Sequence, residues 1–381
     1  MKIKFKKLLS VAALVFVIPI LFAGCYLESA FFGGKGIPPL KPPAVVKTYG
    51  DLSIHFLELN NMYAGDCVYI SYGETDILID AGSRQGSAAT INNYLNKHVT
   101  NNTLDFVIAT HADQDHIAGF YGNLDNRAPG GRTGVMYNFD IDIIIDYPRS
   151  NSTSAIRGNY ENNARAYAIA NGATHYNALQ CFNEEDGAKR IYDIGDGIEL
   201  EIMYNYYYSN YSYYENNYSV VVMIRQGKNQ YLFTGDLEYE GESHMVDYYK
   251  QFGGIGHCVL YKAGHHGSVS SSTNKLLDDI TPKYVVVMCV AGDGFYTSNL
   301  DNQFPTKSFL IRIGQYTDEV YVTTEKIDNI TGSNQYKSMN GDIVFLVSNG
   351  EFSMTGSNNS LKLKDTEWFQ SRWSSPWPLV A

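Results

Sequence analysis

Six consecutive residues, His111-Ala112-Asp113-Gln114-Asp115-His116, constrain this chain more than any other part of it. Four of the six side chains can bind a metal ion. They follow the apolar run Leu104–Ala109 and precede Ile117-Ala118-Gly119. A short apolar run of this kind reads as a buried strand, so the ligands fall at its C-terminal end, where a tight loop aims alternate side chains inward. One face of a helix would not gather all four. Carboxylates beside neutral imidazoles suit zinc, manganese or iron better than metals that prefer thiolates. Polar loops contain Asp and His for ordinary reasons too, but seldom at metal-site spacing.

Two later segments supply what such a site still lacks. Tyr231-Leu232-Phe233-Thr234-Gly235-Asp236 is a short apolar strand that ends in a Gly-Asp turn and delivers one carboxylate. Val259-Leu260-Tyr261-Lys262 runs through Ala263-Gly264 into His265-His266-Gly267-Ser268. Either segment alone is a weak signal. All three in this order, each at a strand terminus, make a strong one.

The arrangement resembles the metallo-β-lactamase superfamily in its HxDxDH variant, and within it the hydrolase domain of ComEC-type DNA-uptake competence proteins. Ile54-His55-Phe56-Leu57 with Gly65-Asp66-Cys67 is similar to that family's opening strand and Gly-Asp turn. Ile77-Leu78-Ile79-Asp80-Ala81-Gly82 resembles its LIDAG strand, and Asn216-Asn217-Tyr218-Ser219-Val220 its NN-S-hydrophobic strand. Lys262 with His265-His266-Gly267-Ser268 resembles its K-x-x-HHGS. These motifs extend over roughly residues 51–350. Phosphorylcholine esterases of pneumococcal type share the HxDxDH and HHG elements. Two departures stand out. Asp113 replaces the middle His of the common HxHxDH pattern, as in both subfamilies. Asn302-Gln303-Phe304-Pro305 stands where the competence family often carries Tyr-Gly-His-Pro.

The resemblance implies an α/β protein, an αββα sandwich in a single domain, with two divalent ions, zinc or manganese, as cofactors. It assigns His111 and Asp113 to one ion, and Asp115, His116 and His266 to the other, with Asp236 bridging. A carboxylate can bridge because its two oxygens bind separate cations. Such a pair makes a nucleophile from water at neutral pH and clamps the oxygens of a displacement at phosphorus. The esterases add one more His between the HxDxDH loop and the bridging Asp; here that interval offers His175 as a further candidate ligand. His265, Lys262 and Asp115 are the candidates for the chemistry itself. His265 would contact substrate phosphate or donate a proton to the leaving group, and Lys262 would neutralise phosphate. Which of His265 and His266 binds metal stays open. Asp66 and Asp80 are expected to orient ligands by hydrogen bonds.

The 381 residues carry a net charge of −11, with no Lys/Arg block beyond the N-terminus. Phosphate contacts dominate nucleic-acid affinity, so this balance counts against a high-affinity DNA binder unless metal ions and a local basic patch do that work. Residues 1–25 read as a lipoprotein signal peptide. Lys2, Lys4, Lys6 and Lys7 precede the apolar run Leu8–Phe22, and Ala23-Gly24-Cys25 resembles a bacterial lipobox in which Cys25 is lipid-modified. An exported protein, anchored in the cell membrane and facing the periplasm or exterior, is the expectation. Residues 26–48, with Gly33-Gly34, Pro38-Pro39 and Pro42-Pro43, read as a tether. Residues 49–355 are expected to form the hydrolase domain and 356–381 a C-terminal tail. Cys67, Cys181, Cys258 and Cys289 lie singly and are expected to be buried free thiols.

Strand-like runs recur at Ser53–Leu59, Val68–Tyr72, Ile77–Asp80, Phe106–Thr110, Ile141–Ile145, Val220–Ile224, Tyr231–Thr234, Val259–Lys262, Tyr284–Val290, Glu319–Thr324 and Ile343–Val347. Ser87–His98, Tyr160–Asn171, Gly241–Phe252 and Thr306–Ile313 carry helical patterns. Tyr204–Tyr218 holds eight tyrosines. It is either an aromatic platform beside the site or part of a generally Tyr-rich chain. The leading functional expectation is a two-metal phosphodiesterase or nuclease of ComEC-like type. The second is a phosphorylcholine-esterase-like enzyme on envelope polymers, and the third a non-catalytic surface binding protein. The expected partners are a phosphodiester substrate, either nucleic acid or a phosphorylcholine-bearing envelope polymer, and the membrane through Cys25. No obligate protein partner is evident.

Overall fold

The computed structural model describes residues 51–99, 101–294, 297–327 and 335–380. The expected signal segment, Cys25 and the tether lie outside them. All described residues fall in one compact unit. Among them, no helix is long and apolar enough to cross a membrane.

Two eight-stranded sheets build this unit. The first contains β1 (Leu52–Phe56), β2 (Val68–Tyr72), β3 (Thr75–Ile79), β4 (Thr103–Ala109), β5 (Asp140–Asp146) and β6 (Thr174–Asn177). The second contains β7 (Ile191–Gly195), β8 (Ile198–Ile202), β9 (Val222–Gln226), β10 (Asn229–Phe233), β11 (Leu260–Lys262), β12 (Tyr284–Ala291), β13 (Glu319–Lys326) and β14 (Tyr336–Ser338). The chain then returns as β15 (Ile343–Ser348) and β16 (Glu351–Gly356) to complete the first sheet beside β1. Each sheet begins as an antiparallel meander and continues in parallel: β3 to β6 in one, β10 to β13 in the other. Parallel neighbours need a crossover, and helices such as Ser87–His98 and Tyr239–Lys250 occupy those connections.

Side chains alternate faces along each strand, and the burial follows that period. Tyr231 and Phe233 of β10, with Val286 and Met288 of β12, join a core shared with the first sheet's Ile54, Phe56 and Phe345. Leu232 of β10, with Val285 and Val287 of β12, turn the other way. They pack with Met245 of Tyr239–Lys250 and Phe309 of Lys307–Ile313. Both faces of β10 and β12 are therefore covered, which explains their near-continuous apolar sequences. This is the expected sandwich with outer helices. One expectation needs correction. Residues 356–380 do not trail as a tail, because Leu363, Phe369 and Leu379 are buried in the outer core of the second sheet. Tyr160–Asn171 is helical as far as Ala170, as a π-helical segment, Tyr160–Arg165, running into Ala166–Ala170. The four described cysteines are buried and free.

Candidate metal centre

The parallel strands β3, β4, β10 and β11 all end at one edge, and the residue or turn that follows each carries a polar side chain into a common volume. Asp80 follows β3. Thr110 and His111 follow β4, and the chain then enters the helix Gln114–Tyr121, whose first turn holds Asp115 and His116. The motif is thus a strand end plus a helix start, not one loop, because Asp113 already stands at the helix N-cap position. Asp236 follows β10 through Gly235, whose φ is +54°. A side chain there would also meet Ser219 Oγ at 2.9 Å, so glycine is required twice over. His265 and His266 follow β11, both in the left-handed region at φ 46° and 54°. Such backbone is costly for a residue with a Cβ and clusters at functional sites.

The hydrogen bonds fix the imidazoles. His266 Nδ1 donates to the carbonyl of Met288 at 2.8 Å. A carbonyl can only accept, so the neutral ring carries its proton on Nδ1 and leaves a lone pair on Nε2. That Nε2 lies 3.3 Å from Asp115 Oδ2 and 3.3 Å from Asp236 Oδ2. His116 repeats the pattern. Its Nδ1 is 2.8 Å from Asp80 Oδ2, and its Nε2 is 3.2 Å from Asp236 Oδ2. Asp80 is held in turn by the Thr110 amide and hydroxyl, each at 2.8 Å. The His111 ring packs 4.1 Å from that of His116, with Nδ1 beside Thr110 Oγ1 at 3.1 Å and Nε2 3.6 Å from Asp113 Oδ2.

The Nε2 atoms of His111, His116 and His266 are buried without hydrogen-bond partners, and so is Asp236 Oδ1. Buried polar atoms of this kind are rare and call for a ligand or a strain role. Ligand atoms of Asp115, His116, Asp236 and His266 all lie within 4.8 Å of one another. Burial alone would lower the His116 and His266 pKa values. Asp236, helped by Asp80 at His116 and by Asp66 at His266, carries both well above the ordinary imidazole value. A volume that favours positive charge so strongly, and faces it with lone pairs and carboxylates, fits a divalent cation. His111 and Asp113 stand beside this group but are not part of it.

The structure does not bring every candidate into the cluster. His175 sits on β6, where its Nε2 is 2.9 Å from Asp146 Oδ1, and Asp146 also pairs with Arg165 at 2.5 Å. That nitrogen is already committed to a structural ion network, and His175 joins no group of candidate ligands. Lys262 is 2 % exposed and ion-pairs with Asp66, 3.2 Å from the Gly235 carbonyl and 3.8 Å from Asp236 Oδ1. It does not line the open cleft, so its charge balances the carboxylates from behind rather than meeting substrate. Asp66 is paired with this ammonium and lies 3.3 Å from His266 Nδ1.

A cleft of about 860 Å³ opens over the cluster. Asp113, Asp115, Asp236, His265 and His266 line it, with Arg84, Gln114, Asn216, Asn302 and Phe304. His265 is the partly open member of the pair, its Nδ1 3.1 Å from Ser270 Oγ and its Nε2 3.8 Å from Asp236 Oδ2. Sequence reasoning missed Arg84, Gln114 and the Met288 carbonyl. Only the place of Arg84, two residues after the Asp80-Ala81-Gly82 turn, hinted at the first. The tyrosine-rich segment divides. Tyr207, Tyr208 and Tyr218 are buried, whereas Tyr211, Tyr213 and Tyr214 are exposed. Glu215 within it accepts from the amide of Ala112 at 3.2 Å and so ties the segment to the metal loop.

Residues 61–127, which carry Asp66, Asp80 and the whole HxDxDH motif, match the family model of the metallo-beta-lactamase superfamily. The paired sheets and outer helices are consistent with the αββα sandwich of that superfamily. Over 248 residues, 64% of its length, the chain is 24% identical to Recombination protein 2 of Haemophilus influenzae, and it spans 24% of that relative. Solved structures align with it at low identity. YhfI from Bacillus subtilis aligns at 10% identity over 71% of this chain and 95% of its own, with a TM-score of 0.41. CmlA, a diiron beta-hydroxylase from Streptomyces venezuelae, aligns at 12% identity over 64% and 45%, with a TM-score of 0.36.

Proposed function

We propose that this metallo-β-lactamase-fold chain is a two-metal hydrolase of phosphodiesters acting on nucleic acid. The observation that carries the reading is Asp236. One of its carboxylate oxygens stands 3.2 Å from His116 Nε2 and 3.3 Å from His266 Nε2, while the other is buried without a hydrogen bond. A carboxylate in that position is suited to joining two cations. Asp115, His116 and His266 would hold one ion and His111 with Asp113 the other. Bound there, such ions supply a water-derived nucleophile and stabilise negative charge on the oxygens at phosphorus. The chain's own residues would do the rest. Asp80 and the Met288 carbonyl hold the imidazoles in the ligating tautomer, and His265 delivers a proton from Nε2 to the departing oxygen. The similarity to Recombination protein 2 supports the nucleic-acid choice.

The same reading places the enzyme outside the cytoplasm, tethered through an acylated Cys25. Fatty-acid labelling that disappears in Cys25→Ser supports it, and labelling that persists sinks it.

The deciding experiment compares wild type with Asp236→Asn, which nearly preserves shape but removes the shared negative charge. Hydrolysis of bis-p-nitrophenyl phosphate should fall by roughly 10²-fold or more, with loss of at least one bound ion. Full metal content and activity in the variant would end the two-metal reading. Parallel assays with p-nitrophenyl phosphorylcholine and nitrocefin separate esterase and lactamase activities from it.

A further inference from the structure

We propose that Arg84, seated on the Tyr63 ring, is an anion subsite in the wall of the cleft. It receives the phosphate next to the scissile one in a single-stranded nucleic acid. The inference rests on the phosphodiester reading and names its substrate class.

Arg84 lines the cleft beside Asp113, Asp115 and His265, and among the described lining residues it is the only Lys or Arg. The other nearby cation, Lys262, is buried against Asp66. The guanidinium carbon of Arg84 lies 3.8 Å above the centre of the Tyr63 ring, and one of its nitrogens donates to the Ser83 carbonyl at 2.8 Å. Among the described residues, no carboxylate comes within ion-pair distance of it. Five donors in a planar fork are more than one carbonyl can use, and that fork matches two oxygens of a phosphate. Stacking on tyrosine fixes the plane in advance and lowers the ordering cost of binding.

The position is fixed as firmly as the plane. Arg84 stands two residues beyond Gly82, where a Cβ would fall 1.4 Å from the carbonyl oxygen of Asp115. The Ala81 amide donates to the His116 carbonyl at 2.7 Å, and the Asp66 amide to the Asp115 carbonyl at 3.0 Å. The segment carrying the guanidinium is therefore knit to the backbone of two metal-ligand candidates. In a chain of net charge −11, with Asp113, Asp115 and Asp236 in the same cleft, an arginine with no carboxylate of the described residues in ion-pair range marks where negative charge of the substrate belongs. Beyond its scissile phosphate, a phosphorylcholine headgroup would offer this position a quaternary ammonium, which the guanidinium repels.

Bases rather than a polyol chain are favoured by exposed tyrosines close in sequence to, or in backbone contact with, residues that line the cleft. Tyr213, Tyr214 and Tyr239 are 78%, 47% and 49% exposed. The first two adjoin Asn216, and the Tyr239 amide donates to Ser270, next to Val269; Asn216 and Val269 both line the cleft. Exposed tyrosine rings offer the flat π-faces of bases a stacking surface that a flexible polyol phosphate matches less well.

The test measures binding of a phosphorothioate oligothymidylate, which resists cleavage, to metal-loaded full-length protein across a range of salt concentrations. Arg84→Gln should weaken binding about ten-fold and reduce the slope of log affinity against log salt by about 0.7, the loss of one single-strand phosphate contact. Arg84→Lys should restore the slope but only part of the affinity, because the charge returns without the fork. An abasic strand of equal length should bind wild type several-fold more weakly. Unchanged affinity and slope in Arg84→Gln would overturn the subsite. Equal binding of the abasic strand would overturn the choice of nucleic acid over another phosphodiester polymer. Failure of wild type to hydrolyse bis-p-nitrophenyl phosphate would instead strike the proposed function, and the binding arms would still judge Arg84. Circular dichroism of both variants guards against misfolding, and Arg84→Lys carries the test if Arg84→Gln does not fold.

Discussion

His266 Nδ1 donates to the Met288 carbonyl at 2.8 Å, and this bond to β12 decides which nitrogen of the ring faces Asp236. The metal-facing geometry of His266 is thereby inherited from the second sheet rather than from its own turn. Its neighbour His265 has no such backbone anchor and keeps part of its ring in the cleft.

Metal occupancy should reflect the uneven ligand supply. Asp115, His116, Asp236 and His266 form the tight group, while His111 and Asp113 lie outside it. After chelator treatment and titration with zinc or manganese, one ion should bind more tightly than the second. His116→Ala should lose the tight ion, and elemental analysis would expose the error if its content matched wild type.

His265→Ala should keep metal but slow turnover, by about 10²-fold for substrates with basic leaving groups and far less for p-nitrophenolate. The dependence of kcat on leaving-group pKa is the readout. If this variant loses metal while His266→Ala retains it, the roles of the pair are reversed.

Lys262→Met should destabilise the metal-free protein by about 3–5 kcal/mol, since it leaves Asp66 and Asp236 buried without their ammonium. Urea melts measure the loss. Bound divalent ions should offset part of it, and an identical loss with and without metal would argue against cations sharing that charge.

His175→Gln should leave metal content intact while lowering stability by about 1 kcal/mol, because Asp146 keeps Arg165 but loses one partner. Burial would raise the Asp146 pKa, yet His175 and Arg165 hold it below the ordinary carboxylate range. The contribution of this network is therefore full at neutral pH and is lost as acid carries the pH down through the depressed value. Melts of wild type and Asp146→Asn should converge at low pH; a gap that persists there contradicts the assignment.

The parts of this protein that sequence made legible are those where one-dimensional spacing and three-dimensional position coincide. Val68–Tyr72 and Ser87–His98 were readable to the residue, since each has an unbroken period bounded by turn residues. The ligands gather because each follows a strand end, which an apolar run announces. Edge strands β6, β7 and β16 lacked such runs, as one of their faces meets solvent and their residues are mixed. The roles of His175 and Lys262 were not legible. Whether a histidine faces a metal volume or, like the half-buried His175, faces Asp146 depends on which strands become neighbours, and no local spacing encodes that. Arg84 was missed for the same reason: its importance comes from the missing carboxylate around it, a property of space rather than of order.

Leu52 pairs with Val347 across β1 and β15, so the first strand of the domain finds its partner only near the end of the chain. A ribosome, or a membrane pore, releases the N-terminal side first. β1, paired with β2 on one side, must wait with its other edge uncovered until residues 343–348 emerge. Loop closure over such a span is entropically slow, and an open β-edge in the interval invites pairing with other chains. Losing those closing residues should do more than shorten the protein, for it would leave a sheet edge exposed beside the very segment that carries Asp66 and Asp80.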